Sequence, residues 1–351
     1  MERLPEAVCI GETMAALLPD QPGPLEDVRA FTPAIGGAEA NVARGLAALG
    51  VPAAWIGRVG DDGFGRRIVR ELTAADVDTS GVTVDPGRPT GLYVKEAGPG
   101  GSVLHYYRAG SAGSALAPAL LDEPAVTRLL SHADLIHLSG ITAALSAGAL
   151  DLVRTLVADR TRTQLVSFDL NWRPALWRGA DPAVLRPLLN AADIVLLGAD
   201  EARAVFGTGD PAELRALLPD PATLVVKDDA RHAIAIPHGP RAVPVSEPAL
   251  RVEAVEPVGA GDAFAAGYLA GTLRGDDRRR CLRLGHLTAA STLVVHGDHG
   301  PPPAAPLVRA LLDASPDEWA ATTVTAAGGV TGGVTGGVTG RGTDSGGGRG
   351  G

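Results

Sequence analysis

The sequence predicts an α/β protein with a mainly parallel sheet, helices on both of its faces, and a small β-sheet attached as a lid. Three observations lead there. Short apolar runs alternate with longer amphipathic stretches through the middle and end of the chain, the pattern of a parallel sheet covered by helices. Residues 79–108 instead read as short strands joined by Gly and Pro turns. Two glycine-rich turns, at 36–37 and 259–261, each feed an apolar helix.

Taken in order, residues 135–138 form a buried strand, followed by a helix over 146–159. A strand over 164–168 precedes a helix over 181–191. A third strand, 194–197, precedes a helix over 200–206, and 223–226 is a further strand. The segments 81–84, 91–96 and 102–107 are the candidate lid strands, with more lid structure drawn from about 12–35. Open sheets of this class bind ligands beyond the carboxyl ends of their strands. Polar residues just after strands are therefore the place to look for chemistry.

The chain has 351 residues, and 45% are hydrophobic, enough for a substantial core in a domain spanning 5–316. From 322 onward a Gly-Gly-Val-Thr unit recurs three times and gives way to Gly, Ser and Arg. That composition cannot offset ordering entropy, so 322–351 reads as a disordered tail. The net charge of −9 and the lack of a basic face argue against nucleic acid. No apolar run reaches the roughly 20 residues that cross a bilayer, so no membrane is expected. The first twenty residues lack the apolar core of a signal peptide, and Cys9 and Cys281 suit no disulfide framework or metal spacing. A cytoplasmic protein is the expectation. Lysine occurs only at 95 and 227, arginine supplying the rest of 31 basic residues.

The strongest constellation is Val258-Gly259-Ala260-Gly261-Asp262, opening a helix to about residue 273. Such a turn aims backbone N–H groups at one point and stabilises phosphate or a developing anion. An aspartate there can take a proton from a hydroxyl; it can equally be a plain helix cap. Phe264 occupies the third position of a dinucleotide fingerprint and no Gly-Lys-Ser/Thr occurs, so neither phosphate motif applies. Gly36-Gly37 leads a second helix, with Asn41 one turn inside and Gly50 at its exit; alone, this is an ordinary helix start.

Together, Gly36-Gly37 with Asn41, the stretch Ile56-Gly57-Arg58-Val59-Gly60-Asp61-Asp62-Gly63-Phe64-Gly65, and Gly259-Ala260-Gly261-Asp262 resemble the PfkB (ribokinase-like) carbohydrate kinases over nearly the whole chain before the tail. The resemblance implies a three-layer α/β sandwich with a β lid, and ATP and Mg²⁺ as cofactors. It implies that Asp262 deprotonates the sugar hydroxyl and that the amides of Gly259, Ala260 and Gly261 form the anion hole. Phosphoryl transfer asks mainly for positioning and charge stabilisation, which suits those residues.

Two segments bear on the sugar. Leu104-His105-Tyr106-Tyr107-Arg108-Ala109-Gly110-Ser111 and Asp169-Leu170-Asn171-Trp172-Arg173-Pro174-Ala175-Leu176-Trp177 resemble those of the 2-keto-3-deoxygluconate kinases, a branch acting on a sugar acid. A carboxylate must be desolvated on binding, and arginine's planar fork matches it. By resemblance, Arg108 reaches from the lid to that carboxylate, and Arg173 lies between sugar and nucleotide phosphates. A surface ion pair, for instance Arg173 with Asp169, is the plain alternative. Further carry-over makes Gly37, Asn41, Tyr93, Tyr106 and Asp298 sugar contacts, and Asn171, Arg173, Glu201, Lys227, Asp228, Gly259, Gly261 and His286 nucleotide contacts. Glu201 would act on the metal indirectly. A homo-oligomer through the lid also follows from resemblance alone.

The chain departs from the family pattern in three places, one of them Glu256-Pro257-Val258, which lacks the threonines common ahead of the Gly-Ala-Gly-Asp turn, so no monovalent-cation site is expected from it. Gly198 stands where an asparagine is common ahead of Glu201, and Asp228 and Ala233 stand where glycines are common in the loop after the strand at 223–226. A carboxylate near ATP would repel phosphate unless it faces solvent or helps hold Mg²⁺. The leading expectation is ATP-dependent phosphorylation of the 6-hydroxyl of 2-keto-3-deoxygluconate. A fructokinase or other neutral-sugar kinase is the alternative within the family, and a non-catalytic sugar-acid sensor the alternative outside it.

Overall fold

The computed structural model describes residues 4–98, 101–159, 163–255, 257–295, 297, 300–301, 304–325 and 330–331. A nine-stranded sheet forms the centre. From one edge to the other it runs Val245–Pro248, His232–Pro237, Thr223–Asp228, Ile194–Gly198, Leu165–Asp169, Leu135–Ser139, Ala7–Ile10, Ala53–Ile56 and Val77–Asp78. His232–Pro237 is antiparallel to both of its neighbours, and the other pairings are parallel. This is the α/β architecture the alternating pattern predicts, and most strand and helix bounds fall within two residues of those read above.

The central strands read as almost unbroken apolar runs because both faces are covered. On one face Ala7, Cys9, Trp55, Leu135, Leu196 and Val225 pack against the helices Ala38–Ala48, Ala260–Leu273 and Arg278–Leu293. On the other, Val8, Ile10, Ile136, Leu138, Phe168, Val195 and Leu197 pack against Pro124–His132, Ala147–Ala158 and Leu185–Ala191. The alternation of side chains along each strand divides the core into these two layers.

A four-stranded sheet in the order Phe31–Gly36, Met14–Pro19, Leu92–Gly98, Gly101–Tyr107 stands apart as a lid. Met14, Ala16 and Tyr93 form its own small core. The segment 81–84, read as a lid strand, is placed differently. Thr83–Asp85 pairs parallel with Arg58–Gly60, and Arg58 bonds Asp85 at 3.0 Å, which draws this strand toward the main body.

The ordered chain also continues past 322, where the sequence reading began the tail. Thr323–Val324 pairs with Arg251–Val252, Thr322 is fully buried, and the indole of Trp319 donates to the carbonyl of Pro248 at 2.8 Å. Burial of Trp319 and Val324 supplies the apolar contact, and Val330–Thr331, within the first glycine-rich repeat, pairs antiparallel with Thr323–Val324 and packs Val330 against the same core. Residues 332–351 lie outside the described residues. No helix among the described residues is long and apolar enough to cross a membrane.

Candidate active site

The chain first adds strands from Ala7–Ile10 toward one edge, then crosses to Leu135–Ser139 and builds toward the other. That reversal between neighbouring strands opens a crevice at their carboxyl ends. A cleft of about 640 Å³ lies there, roofed by the lid. Gly37, Asn41, Tyr93, Tyr106, Arg108, Asn171, Arg173, Glu201, Lys227, Gly259, Gly261 and Asp262 all line it. Residues scattered over 226 positions of sequence thus share one space.

Asp262 sits in the first turn of Ala260–Leu273, whose N-cap Gly259 has φ +80°, a left-handed conformation that favours glycine. Both carboxylate oxygens are held. Asn41 donates its side-chain N–H to one at 2.9 Å, and Asn171 donates to the other at 3.2 Å. The contact with Asn41 follows from helix packing. One turn further along, Gly45 of Ala38–Ala48 lies against Ala266, where an added Cβ would come within 2.5 Å of the alanine methyl. Glycine at 45 lets the two helices approach until Asn41 reaches Asp262. Asn171 has φ +39°, an uncommon backbone for a residue with a side chain. Burial pushes the Asp262 pKa up to about 7, the Asn41 hydrogen bond and the cations Arg173 and Lys227 opposing that rise while Asp169 adds to it. A carboxylate poised near neutrality is suited to proton transfer.

Beside it, Lys227 is the penultimate residue of the strand Thr223–Asp228 and bonds Asp169 at 2.9 Å. Burial works to lower the lysine's pKa, but Asp169, Glu201 and Asp262 outweigh it and hold the ammonium above its usual range. Beneath, His137 is buried against Ser167 at 3.1 Å, and desolvation drives its pKa down to about 4, leaving the imidazole neutral. Glu201 accepts from the backbone N–H of Gly198 at 3.0 Å and of Trp172 at 3.1 Å, and approaches Arg173 at 3.5 Å. It therefore ties the 171–173 turn to the helix Ala199–Phe206. The arginine's carboxylate partner is Glu201, in place of the Asp169 pairing considered from sequence.

On the lid side, Tyr93 and Tyr106 lie with ring centroids 5.8 Å apart, and the Arg108 guanidinium stands 5.7 Å from the Tyr106 ring. Arg108 is ion-paired with Glu12, a buried carboxylate that sequence reading did not single out. Its signal was available: Glu12 lies two residues past the strand Ala7–Ile10, at the carboxyl end of the sheet. Glu39 was missed likewise. It is fully buried and accepts from Ser139 and Thr142, each at 2.6 Å, fixing the start of the helix that carries Asn41.

Gly37 makes a close backbone approach, since an added Cβ would come within 2.4 Å of the Glu12 carbonyl oxygen. Two expected nucleotide residues stand away from the cleft. His286 is buried behind Phe264 in an edge-to-face contact at 5.2 Å, and its Nε2 lies 3.2 Å from the Glu247 carbonyl oxygen. Its apolar surroundings give it a packing role. Asp228 turns to Arg231 within its own hairpin and does not line the cleft. The left-handed conformation that glycine would supply there is taken by Asp229, φ +45°. Asp298 lies outside the described residues.

Among the described residues, no cluster of three or more His, Cys, Asp or Glu side chains could cage a metal ion. Of the cleft carboxylates Asp169, Glu201 and Asp262, the first is taken by Lys227 and the last by Asn41 and Asn171, which leaves Glu201 to act, through water, on Mg²⁺ carried in on phosphate oxygens.

Comparison with known proteins bears on the family and the fold. Residues 4–305 match the model of the pfkB family carbohydrate kinases. The chain is 38% identical over 306 residues to a 2-dehydro-3-deoxygluconokinase of Thermoproteus tenax, covering 85% of this chain and 91% of the relative. It is 34% identical to the crystal structure of a PfkB protein from Polaromonas sp., with a TM-score of 0.73 and coverage of 82% and 95%. An uncharacterized sugar kinase of Pyrococcus horikoshii, solved in complex with ATP, is 26% identical with a TM-score of 0.73, covering 84% of this chain and 95% of that one.

Proposed function

The chain belongs to the pfkB family of carbohydrate kinases, and from that premise we propose that it phosphorylates the 6-hydroxyl of 2-keto-3-deoxygluconate with ATP, Asp262 serving as the base. The observation that carries this is the placement of Asp262 and Arg108 on one cleft, a carboxylate held by two amides and a guanidinium beneath the lid. The relative from Thermoproteus tenax is named a 2-dehydro-3-deoxygluconokinase, which supports the choice of sugar acid.

The residues divide the work. Arg108 receives the sugar carboxylate, and Tyr93 and Tyr106 offer flat faces to the carbon chain. The 6-hydroxyl lies toward Asp262. As its oxygen forms a bond to the γ-phosphorus, the bond from that phosphorus to the bridging oxygen breaks and ADP leaves. The hydroxyl proton passes to Asp262. Asn41 and Asn171 keep the carboxylate aimed and favour its ionised form. The amides of Gly259 and Gly261 stand where the helix Ala260–Leu273 opens and face the phosphoryl group, while the Ala260 N–H reaches the Pro257 carbonyl at 3.4 Å and turns to the phosphoryl group as it arrives. Lys227 and Arg173 add positive charge on that side. Mg²⁺ carried on the nucleotide would supply charge neutralisation, and Glu201 is the carboxylate that would act on it, through water. Asp228, paired with Arg231, adds little repulsion toward phosphate, which supports a turning-over enzyme over a silent sensor.

ADP release with Mg²⁺-ATP, measured across 2-keto-3-deoxygluconate, its galactose epimer, fructose, ribose and gluconate, tests the proposal. Strong preference for the keto-deoxy acids is expected. Preference for fructose or ribose overturns the sugar assignment and leaves the kinase. Binding of the acids without ADP release overturns the catalytic reading.

A further inference from the structure

The buried partner of Arg108 has no place in the reaction just described. Glu12 is 2% exposed, lines the cleft, and is ion-paired with Arg108. Its other oxygen accepts from the hydroxyl of Ser111 at 2.5 Å. Arg108 and Ser111 belong to one tight turn, in which the Ser111 N–H donates to the Arg108 carbonyl at 3.1 Å and Gly110 adopts φ +73°. One short loop therefore grips a single carboxylate from two sides.

Two glycines make room for that carboxylate. A Cβ at Gly113 would come within 2.4 Å of Glu12 Cγ, and one at Gly91 within 2.9 Å of its Oε1. The slot around Glu12 exists only with those positions bare. Arg108 itself is mostly enclosed, its side chain 12% exposed, and its buried Nε–H has no acceptor among the described residues. A buried arginine without a counter-charge is costly and poorly fixed. One carboxylate leaves part of its five-donor fork for a second planar anion.

We propose that Glu12 is the positioning residue for Arg108: with Ser111 it locks the guanidinium in the orientation that receives an anionic substrate group, and so contributes to selection of acid over neutral sugars. This rests on the sugar-acid reading given above. Glu12 acts through Arg108, without itself binding the substrate carboxylate, which like charge would repel.

The test is a double-mutant cycle with steady-state kinetics on 2-keto-3-deoxygluconate and on fructose. Glu12→Ala is expected to raise KM for the acid about 10- to 100-fold, the scale of a misplaced binding group, with kcat changed far less. Ser111→Ala moves KM the same way by a smaller factor, and serves if Glu12→Ala fails to fold. Glu12→Asp recovers part of the loss. In an Arg108→Ala background, Glu12→Ala adds less than about twofold, because the group it positions is gone. An equal loss in both backgrounds shows Glu12 acting on substrate directly and overturns the inference. So does an Arg108→Ala effect with none from Glu12→Ala or Ser111→Ala. A wild-type enzyme indifferent to the acid, or an Arg108→Ala variant with unchanged KM, overturns the sugar-acid reading first and the inference with it.

Discussion

Asn41 and Asp262 stand 221 residues apart in the chain and 2.9 Å apart in space, the amide N–H donating to the carboxylate. That bond is one of the forces holding the Asp262 pKa below where burial alone would drive it. Replacing Asn41 with alanine removes it. The pKa then rises, so the acidic limb of the kcat/KM profile moves to higher pH. Activity at pH 8.5 should recover much more than activity at pH 6. A pH profile of the purified variant checks this, and a loss uniform across pH would assign Asn41 a purely structural role.

Asp262 carries an expectation for stability as well as rate. Asp262→Asn should lower kcat by about 10²–10⁴-fold, the range supplied by a positioned base. The carboxyl's pKa is about 7 in the fold, above the ordinary 3.8. Ionising it therefore opposes folding, and wild-type stability falls as pH rises between those two values, then levels off. The asparagine variant lacks that fall. Its Tm should exceed the wild-type value by an amount that opens between about pH 4 and pH 7 and then stays constant. Parallel thermal melts read the difference, and an unchanged gap between pH 4 and 8 would contradict the raised pKa.

Much of this site was readable in the sequence because its signals are local. Gly259-Ala260-Gly261-Asp262 announces a turn feeding a helix, and the apolar runs at 135–138 and 194–197 have no other stable use than buried strands. What was not readable depends on long-range packing. Nothing near residue 12 says that its carboxylate will meet Arg108, since the pairing requires the lid to fold over the sheet and two distant glycines to clear a slot. Glu39 looks like an ordinary first-turn helix residue until Ser139 and Thr142 arrive beside it. His286 is the opposite case: resemblance puts it near the nucleotide, the residue type in a helix reads equally as structural, and it packs against Phe264. The strand Thr323–Val324 was hidden by the glycine-rich repeat that follows it.

Lys227 joins the phosphate side of the cleft to the base. Its ammonium helps lower the Asp262 pKa and is paired with Asp169. Lys227→Met removes the cation while keeping the length of the chain. The acidic limb should shift upward, as for Asn41→Ala, but KM for ATP should rise too, by roughly 10- to 100-fold if a charge-assisted bond to phosphate is lost. Stability should fall, because Asp169 is left buried beside a neutral side chain. Kinetics with ATP varied at several pH values separate the two effects. An ATP KM unchanged from wild type would place Lys227 outside nucleotide binding.

Glu39 gives a prediction in stability alone. Its carboxyl is fully buried, desolvation raises its pKa, and the hydroxyls of Ser139 and Thr142 only partly compensate. One oxygen takes both hydroxyl bonds, while the other has no hydrogen-bond partner among the described residues. Glutamine can accept the same two bonds with its carbonyl oxygen and carries no charge to desolvate. The folded pKa lies above the unfolded one, so the wild type loses stability as pH rises from the ordinary carboxylate range through the raised value. Glu39→Gln should therefore match the wild type near pH 4 and melt at a higher temperature at pH 8. Denaturation curves at the two pH values decide it. A variant less stable at pH 8 would mean that the ionised carboxylate is needed to seat the helix Ala38–Ala48, and that Asn41 depends on that charge for its approach to Asp262.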